Sequence, residues 1–254
     1  MSAKPDIITA AVLVIGDEIL SGRTKDKNIG YIAEYLTAIG IDLKEVRVVA
    51  DDAPEIVAAI DALRAKCTYV FTTGGIGPTH DDITADCVAD AFGVALEFHP
   101  EAVAILKERL AKTGGELNEA RMRMARIPHG AALVANKVSG APGFWIGNVI
   151  TMAGIPAVMQ AMLDEVAPKL KTGTKLLSET IRADAKEGDL GTELGAIAKA
   201  HPETIIGSYP FIDEKNGPNT NIVVRSRDAD ELAVVKAEVE GMLKKVKAQL
   251  SAAR

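Results

Sequence analysis

The stretch TTGGIGPTHDDIT, Thr72–Thr84, follows the apolar run Tyr69-Val70-Phe71 and sets three glycines and a proline against two adjacent aspartates. A short apolar run ended by glycine reads as a buried strand, and Thr84 opens a segment of helical character. The unit is strand, glycine loop, helix. The same grammar occurs twice upstream. ITAAVLVI (8–15) precedes a loop and a 3.6-period segment near 27–39 that stops at Gly40, and KEVRVVA (44–50) precedes Asp51-Asp52 and a helix opened by Pro54. Three such units in succession predict an α/β fold: a mostly parallel sheet with helices on both faces. In open sheets of this kind the loops after the strands gather on one edge, and ligands bind there.

Downstream, helices are predicted over 100–113 and 117–125. AALVAN (131–136) and GFWIGNVITM (143–152) read as strands, the latter a hairpin about Gly147-Asn148, and Pro156 opens another helix. The polar segment LKTGTK (170–175) breaks the pattern, which divides the chain into domains 1–170 and 171–254. The second is predicted as a small α+β unit: strand 176–183, helix 188–200, strands near 204–209 and 220–226, and an amphipathic helix from 229.

Bulk composition narrows the function classes. With 48% apolar and 25% charged residues in 254, the chain is composed like an ordinary folded protein. A net charge of -6 provides no basic footprint for nucleic acid. Cys67 and Cys87 lack CxxC spacing and accompanying histidines, so they are expected as reduced packing residues rather than disulfide or zinc ligands. The N-terminal segment lacks a signal-type pattern, and no apolar run reaches roughly 18 residues, so no membrane partner and a cytoplasmic location are expected.

Three loops at the expected sheet edge carry carboxylates: GDEILSG (16–22), ADD (50–52) and GGIGPTHDD (74–82). Gly74, Gly75 and Gly77 leave room for backbone N–H groups to approach a phosphate at the start of a helix. Asp81 and Asp82 stand where that phosphate would repel them, unless a hard cation lies between; Mg²⁺ or another divalent ion uses such carboxylates together with phosphate oxygens. A plainer reading exists for each residue. Asp82 or Thr84 caps the helix, Asp17 or Glu18 caps the first one, and the glycines satisfy a turn. The loop is neither a P-loop nor a dinucleotide fingerprint, because Gly-Lys-Ser/Thr and the third spaced glycine are missing. His80 reads as a turn residue and Trp145 as packing. Tyr209 and Pro210 read as domain docking, and Lys236, Lys244, Lys245 and Lys247 as a solvated face.

GDEILSGRTKDKN (16–28), VVADD (48–52), TTGGIGPTHDDIT (72–84) and AGIPAVM (153–159) together resemble the molybdopterin-binding domain of MogA, MoaB and the N-terminal part of CinA-type competence/damage-inducible proteins. SGRTKDKN, the GSYP motif and the second domain resemble the CinA branch. The resemblance, over roughly 7–170, implies a MogA-like three-layer αβα fold whose pocket binds a nucleotide or pterin pyrophosphate. Asp51, Asp81 and Asp82 are then expected to hold the metal and support catalysis. Gly16, Glu18, Gly74, Gly75 and Gly77, with Thr79, Gly154 and Pro156, are expected to contact the ligand. It further implies hydrolysis of ADP-ribose-like dinucleotides, or else adenylyl transfer with molybdopterin as ligand, and a homo-oligomer. The alternative to both is a non-catalytic interaction module. The chain departs from the family at Val158, where an acidic residue is common, and in NKVSGAPG (136–143). The CinA amidase domain has no counterpart up to residue 254, so deamidation of nicotinamide mononucleotide is not expected.

Overall fold

The computed structural model describes residues 6–215 and 217–252. The chain divides between Gly173 and Thr174 into two compact units.

In the first unit, β1 (Ile8–Ile15) leads through α1 (Asp17–Leu20) into α2 (Asn28–Ala38). Then β2 (Ile41–Val49) leads into α3 (Ala53–Arg64), and β3 (Tyr69–Thr73) into α4 (Thr84–Phe92). There follow β4 (Leu96–Phe98), α5 (Pro100–Thr113), α6 (Glu119–Met122), β5 (Arg126–Pro128), β6 (Ala132–Val134), β7 (Gly143–Ile146), β8 (Val149–Met152) and α7 (Pro156–Val166). The main sheet has the order β2-β1-β3-β8-β7-β6. Its first four strands run parallel; β7 is antiparallel to both β8 and β6.

Residues of β1 show why the sheet must be covered twice. Ala11, Leu13 and Ile15 pack with Ile56, Ile60, Val88 and Leu106 from α3, α4 and α5. Ala10, Val12 and Val14 pack with Ile32, Leu36, Met159 and Leu163 from α2 and α7. Both sets of alternating side chains are apolar, as a strand buried on both faces requires. All five residues of β3 are buried, and the Thr72 hydroxyl donates to Thr151 Oγ1 at 3.0 Å, pairing two polar groups that would otherwise be stranded. Cys67 and Cys87 lie in the first of these cores, and burial pushes the Cys87 thiol up to about 12.

Two features escaped the sequence reading. Residues 17–20 form the single helical turn α1, and β4 pairs with β5 in a separate two-stranded sheet. Residues 117–125, expected as one helix, are the four-residue α6 followed by a 3₁₀ turn, Arg123–Ala125.

The second unit comprises β9 (Leu177–Arg182), α8 (Gly191–Ala200), β10 (Ile205–Asp213), β11 (Gly217–Ser226) and α9 (Ala229–Ala252), with antiparallel strand order β10-β11-β9. Its core joins Ile181, Ile222 and Val224 to Leu194 of α8 and Val235, Val239 and Leu243 of α9. Strands β10 and β11 run longer than predicted. They pair as a hairpin from Ile205↔Arg225 to Asp213↔Gly217, with Pro210 tolerated because β10 is an edge. No helix among the described residues is long and apolar enough to cross a membrane.

His201, at the end of α8, is clasped by α9: Nδ1 lies 2.7 Å from Glu231 Oε1 and Nε2 lies 3.0 Å from Glu238 Oε2. These carboxylates hold its pKa above the ordinary 6.5. The clasp therefore stabilises fully below pH 6.5 and is lost as pH rises through the shifted value. Replacing His201 by Asn is expected to lower the melting temperature of this unit more at mildly acidic than at alkaline pH. In the first unit, Phe71→Ala empties a fully buried site and is expected to cost about 3–5 kcal/mol in urea denaturation.

Candidate functional site

The glycine loop begins where β3 ends. Gly74 and Gly75 adopt φ of 102° and 65°, which only glycine takes without strain. A Cβ on Gly74 would collide with the Ile15 carbonyl of β1, and one on Gly75 with the Thr84 hydroxyl. That hydroxyl donates to the Gly74 carbonyl at 3.0 Å, while the Thr84 amide donates to the Gly75 carbonyl, so the first residue of α4 is tied back across the loop. The amides of Gly75, Ile76 and Gly77 are left donating to no acceptor among the described residues. The three residues line a cleft of about 580 Å³ whose lining also includes Glu18, Pro78, Asp82, Asn136, Gly154 and Pro156.

A second cleft of about 610 Å³ adjoins it through Glu18, which lines both; Asp17, Asp51, Asp81, Ser21 and Arg23 complete its polar lining. Asp51 Oδ2 accepts the Asp17 amide at 2.9 Å, and Asp17 Oδ1 accepts the Asp51 amide at 3.4 Å, so Asp51 caps α1 from the neighbouring strand end. Burial pushes the Asp51 carboxyl up. The charges of Asp17, Glu18 and Asp81 add to this, and the Asp17 amide offsets part of it. Four carboxylates thus crowd one rim.

The three aspartates expected as metal ligands are not brought to one point. Asp51 and Asp81 line the acidic cleft, whereas Asp82 lines the glycine cleft, and its Oδ2 accepts from both the amide (2.8 Å) and the hydroxyl of Thr79. Asp82 closes its own turn: a carboxylate placed three residues after a threonine in a Gly-Pro loop satisfies local donors first. Among the described residues no three histidine, cysteine or acidic side chains form a ready-made metal cage. Hard oxygen donors crowded as they are at Asp51 and Asp81 nevertheless suit a divalent cation that takes its remaining ligands from a phosphate. Gly16 and Thr79 are not among the residues lining either cleft. Gly16 is buried, where an added Cβ would meet Glu18 Oε1 at 2.7 Å, and Thr79 serves Asp82. Neither Asp82 nor Thr84 caps α4 in the usual sense; its N-cap position is Ile83.

Sequence reasoning missed the supports behind the loop. Arg123 donates to the Asp82 carbonyl at 3.2 Å, and Arg126 forms a bidentate pair with Asp86 at 2.8 Å for both bonds. Asn136, buried, donates to Ser139 Oγ and the Ala141 carbonyl and accepts the amides of Val138 and Ser139, shaping the opposite wall. The Asn-x-x-Ser-Gly spacing at 136–140 was a readable turn signal; the arginines follow no local pattern.

A CinA-like protein of Gemmatimonas aurantiaca is 32% identical over 232 residues, which are 86% of this chain and 54% of that protein. The crystal structure of the protein CinA from Thermoplasma acidophilum, described as of unknown function, superposes with a TM-score of 0.60 at 34% identity, covering 64% of this chain and 98% of that one. Residues 11–172 match the family described as "Probable molybdopterin binding domain". The chain belongs to the molybdopterin-binding domain family, in its CinA-type branch. A protein from Caldivirga maquilingensis is 32% identical over 248 residues, a match that spans both units and covers 95% of each chain. Residues 175–250, beyond the molybdopterin-binding domain, match the family described as "FAD synthase, middle domain".

Burial, with the neighbouring carboxylates adding to it, disfavours the charged form of Asp51 when no cation relieves it. Asp51→Asn keeps an acceptor for the Asp17 amide and removes a charge. It is expected to raise the melting temperature of the metal-free protein at alkaline pH, with the gain shrinking as pH falls through the raised Asp51 pKa and vanishing below the ordinary aspartate value of 3.8. A lowered melting temperature in calorimetry would show Asp51 to be a structural strut instead.

Proposed function

We propose that this protein is a metal-dependent hydrolase of a nucleotide pyrophosphate such as ADP-ribose. The observation that carries this reading is the row of unpartnered amides at Gly75, Ile76 and Gly77, in residues that line a cleft adjoining a rim of four carboxylates. Amides without acceptors at a helix entry favour phosphate oxygens, and crowded carboxylates favour a cation; a metal-bound diphosphate satisfies both.

Asp51 and Asp81, with Asp17 and Glu18 beside them, would hold a divalent ion that neutralises phosphate charge and acidifies a water when bound. The three amides hold the non-bridging oxygens and stabilise charge developing there. Glu18, reaching both clefts, orients the attacking water and takes its proton. A new P–O bond forms to water, the P–O–P bridge breaks, and the leaving phosphate carries away the bridging oxygen, so that ADP-ribose yields AMP and ribose 5-phosphate. The match of the second unit to a domain named for FAD synthase places FAD among the pyrophosphates to be tried.

A second reading, binding or adenylylation of molybdopterin, is favoured by the description of the family matched over residues 11–172. The two separate in one assay with the purified chain, given ADP-ribose or FAD in one arm and molybdopterin plus ATP in the other, each with and without Mg²⁺. AMP released only in the first arm, and only with metal, is the expected result. Asp51→Asn is expected to lower that rate by about 10²-fold or more, the size of effect seen when one preorganised charge-stabilising group is removed.

A further inference from the structure

Gly16 joins the end of β1 to α1 and is pinned on both sides. Its amide donates to the Val49 carbonyl at the end of β2 at 3.1 Å, and its carbonyl accepts the Ile19 amide at 3.2 Å. Its φ of 160° is extended backbone that any residue adopts, so the chain path alone does not call for glycine. The requirement comes from Glu18. A Cβ built on Gly16 would fall 2.5 Å and 2.7 Å from the two carboxylate oxygens of Glu18, and 2.8 Å from the carbon between them. The carboxylate is thus folded back over the Gly16 backbone, in the space that a side chain would fill. It does not sit there as a cap, because α1 has no side-chain cap bond, and Glu18 makes no hydrogen bond or ion pair with any described residue.

We propose that Gly16 is a positioning residue: its missing side chain is the seat that holds the Glu18 carboxylate where the two clefts adjoin. The inference rests on the role given to Glu18 above, as the group that takes the proton of the attacking water. Such a group works only within hydrogen-bond reach of that proton, and a long side chain in solvent spreads over many rotamers. No bond within the protein places this carboxylate, so the shape beneath it must. Gly16 supplies that shape on a backbone fixed by the ends of two strands, and Glu18 is the one carboxylate that lines both clefts. A methyl group at position 16 would leave the chain path intact and displace only the far end of a flexible side chain. Gly16→Ala therefore moves the carboxylate without removing its charge.

The test compares the full chain with Gly16→Ala, Glu18→Gln and the double variant, measuring ADP-ribose hydrolysis with Mg²⁺ and ADP-ribose affinity by calorimetric titration. Gly16→Ala is expected to lower kcat by about 10²-fold, the size of a general-base contribution, and to leave the dissociation constant unchanged. Added to Glu18→Gln, it is expected to cost nothing further, because a residue that acts only through Glu18 then has nothing to act on. Wild-type kcat in Gly16→Ala, losses that multiply in the double variant, or ADP-ribose affinity lost in Gly16→Ala would each overturn the seat while leaving metal-dependent hydrolysis standing. Full activity in Glu18→Gln would overturn the seat and the proton-acceptor role together. If the wild type releases no AMP, the hydrolase reading falls by itself, and crystal structures of the wild type and Gly16→Ala without ligand decide the seat. The Glu18 carboxylate is expected to leave residue 16 in the variant, and an unmoved carboxylate would overturn the inference. Should Gly16→Ala not fold, Glu18→Asp, one methylene too short to reach the seat, is expected to lose kcat in its place, and full activity there would overturn the inference equally.

Discussion

The site depends on the close approach of two backbones, where the carbonyl of Ile15 at the end of β1 sits against Gly74 at the end of β3. Only a residue without Cβ permits that contact, and only positive φ turns the chain out of the sheet quickly enough for the Thr84 amide and hydroxyl to reach back to Gly75 and Gly74. The cost is three amides left without internal partners. In a core these would be a defect; at the rim of a parallel sheet, beside the first turn of a helix, they are what an anion requires. Strand order, loop geometry and binding chemistry therefore share one steric cause.

Electrostatics then assign different work to similar residues. Of the carboxylates that the sequence places in the three loops, Asp82 is consumed by Thr79 and the shape of its turn. Asp51 supports the neighbouring turn α1 and lines the acidic cleft. Asp51 therefore links shape to charge, because the bond that fixes α1 also holds a carboxylate among others that disfavour its ionisation. Arg123 holds the Asp82 carbonyl and Arg126 the Asp86 carboxylate, so fixed positive charge steadies the loop and the first turns of α4.

Periodicity made the architecture legible. The glycine stretch with its flanking strand and helix fixed one βα unit, and three such units in succession put helices on both faces of the sheet, as the two cores show. Helix 100–113 and the Gly147-Asn148 hairpin were read within a residue of where they lie. Short elements were invisible, since the four residues at 17–20 are tied by a bond from Asp51 at the end of another strand as well as by their own backbone bonds. The same limitation governs the site. Residue types and loop positions announced carboxylates and glycines at one edge, but that Asp51 would reach across to the Asp17 amide, 34 residues away in sequence, follows from tertiary placement alone.

The two cysteines offer a view of the molecule's motion. Cys67 and Cys87 sit within the same core, one against the end of α3 and one inside α4, and burial raises both thiols, so neither reacts while that core is closed. Alkylation of this chain consequently acts as a clock for breathing of the sandwich between sheet and helices: each modified molecule records one opening event, and the rate at which ligand slows the reaction measures how strongly the occupied rim holds the layers together.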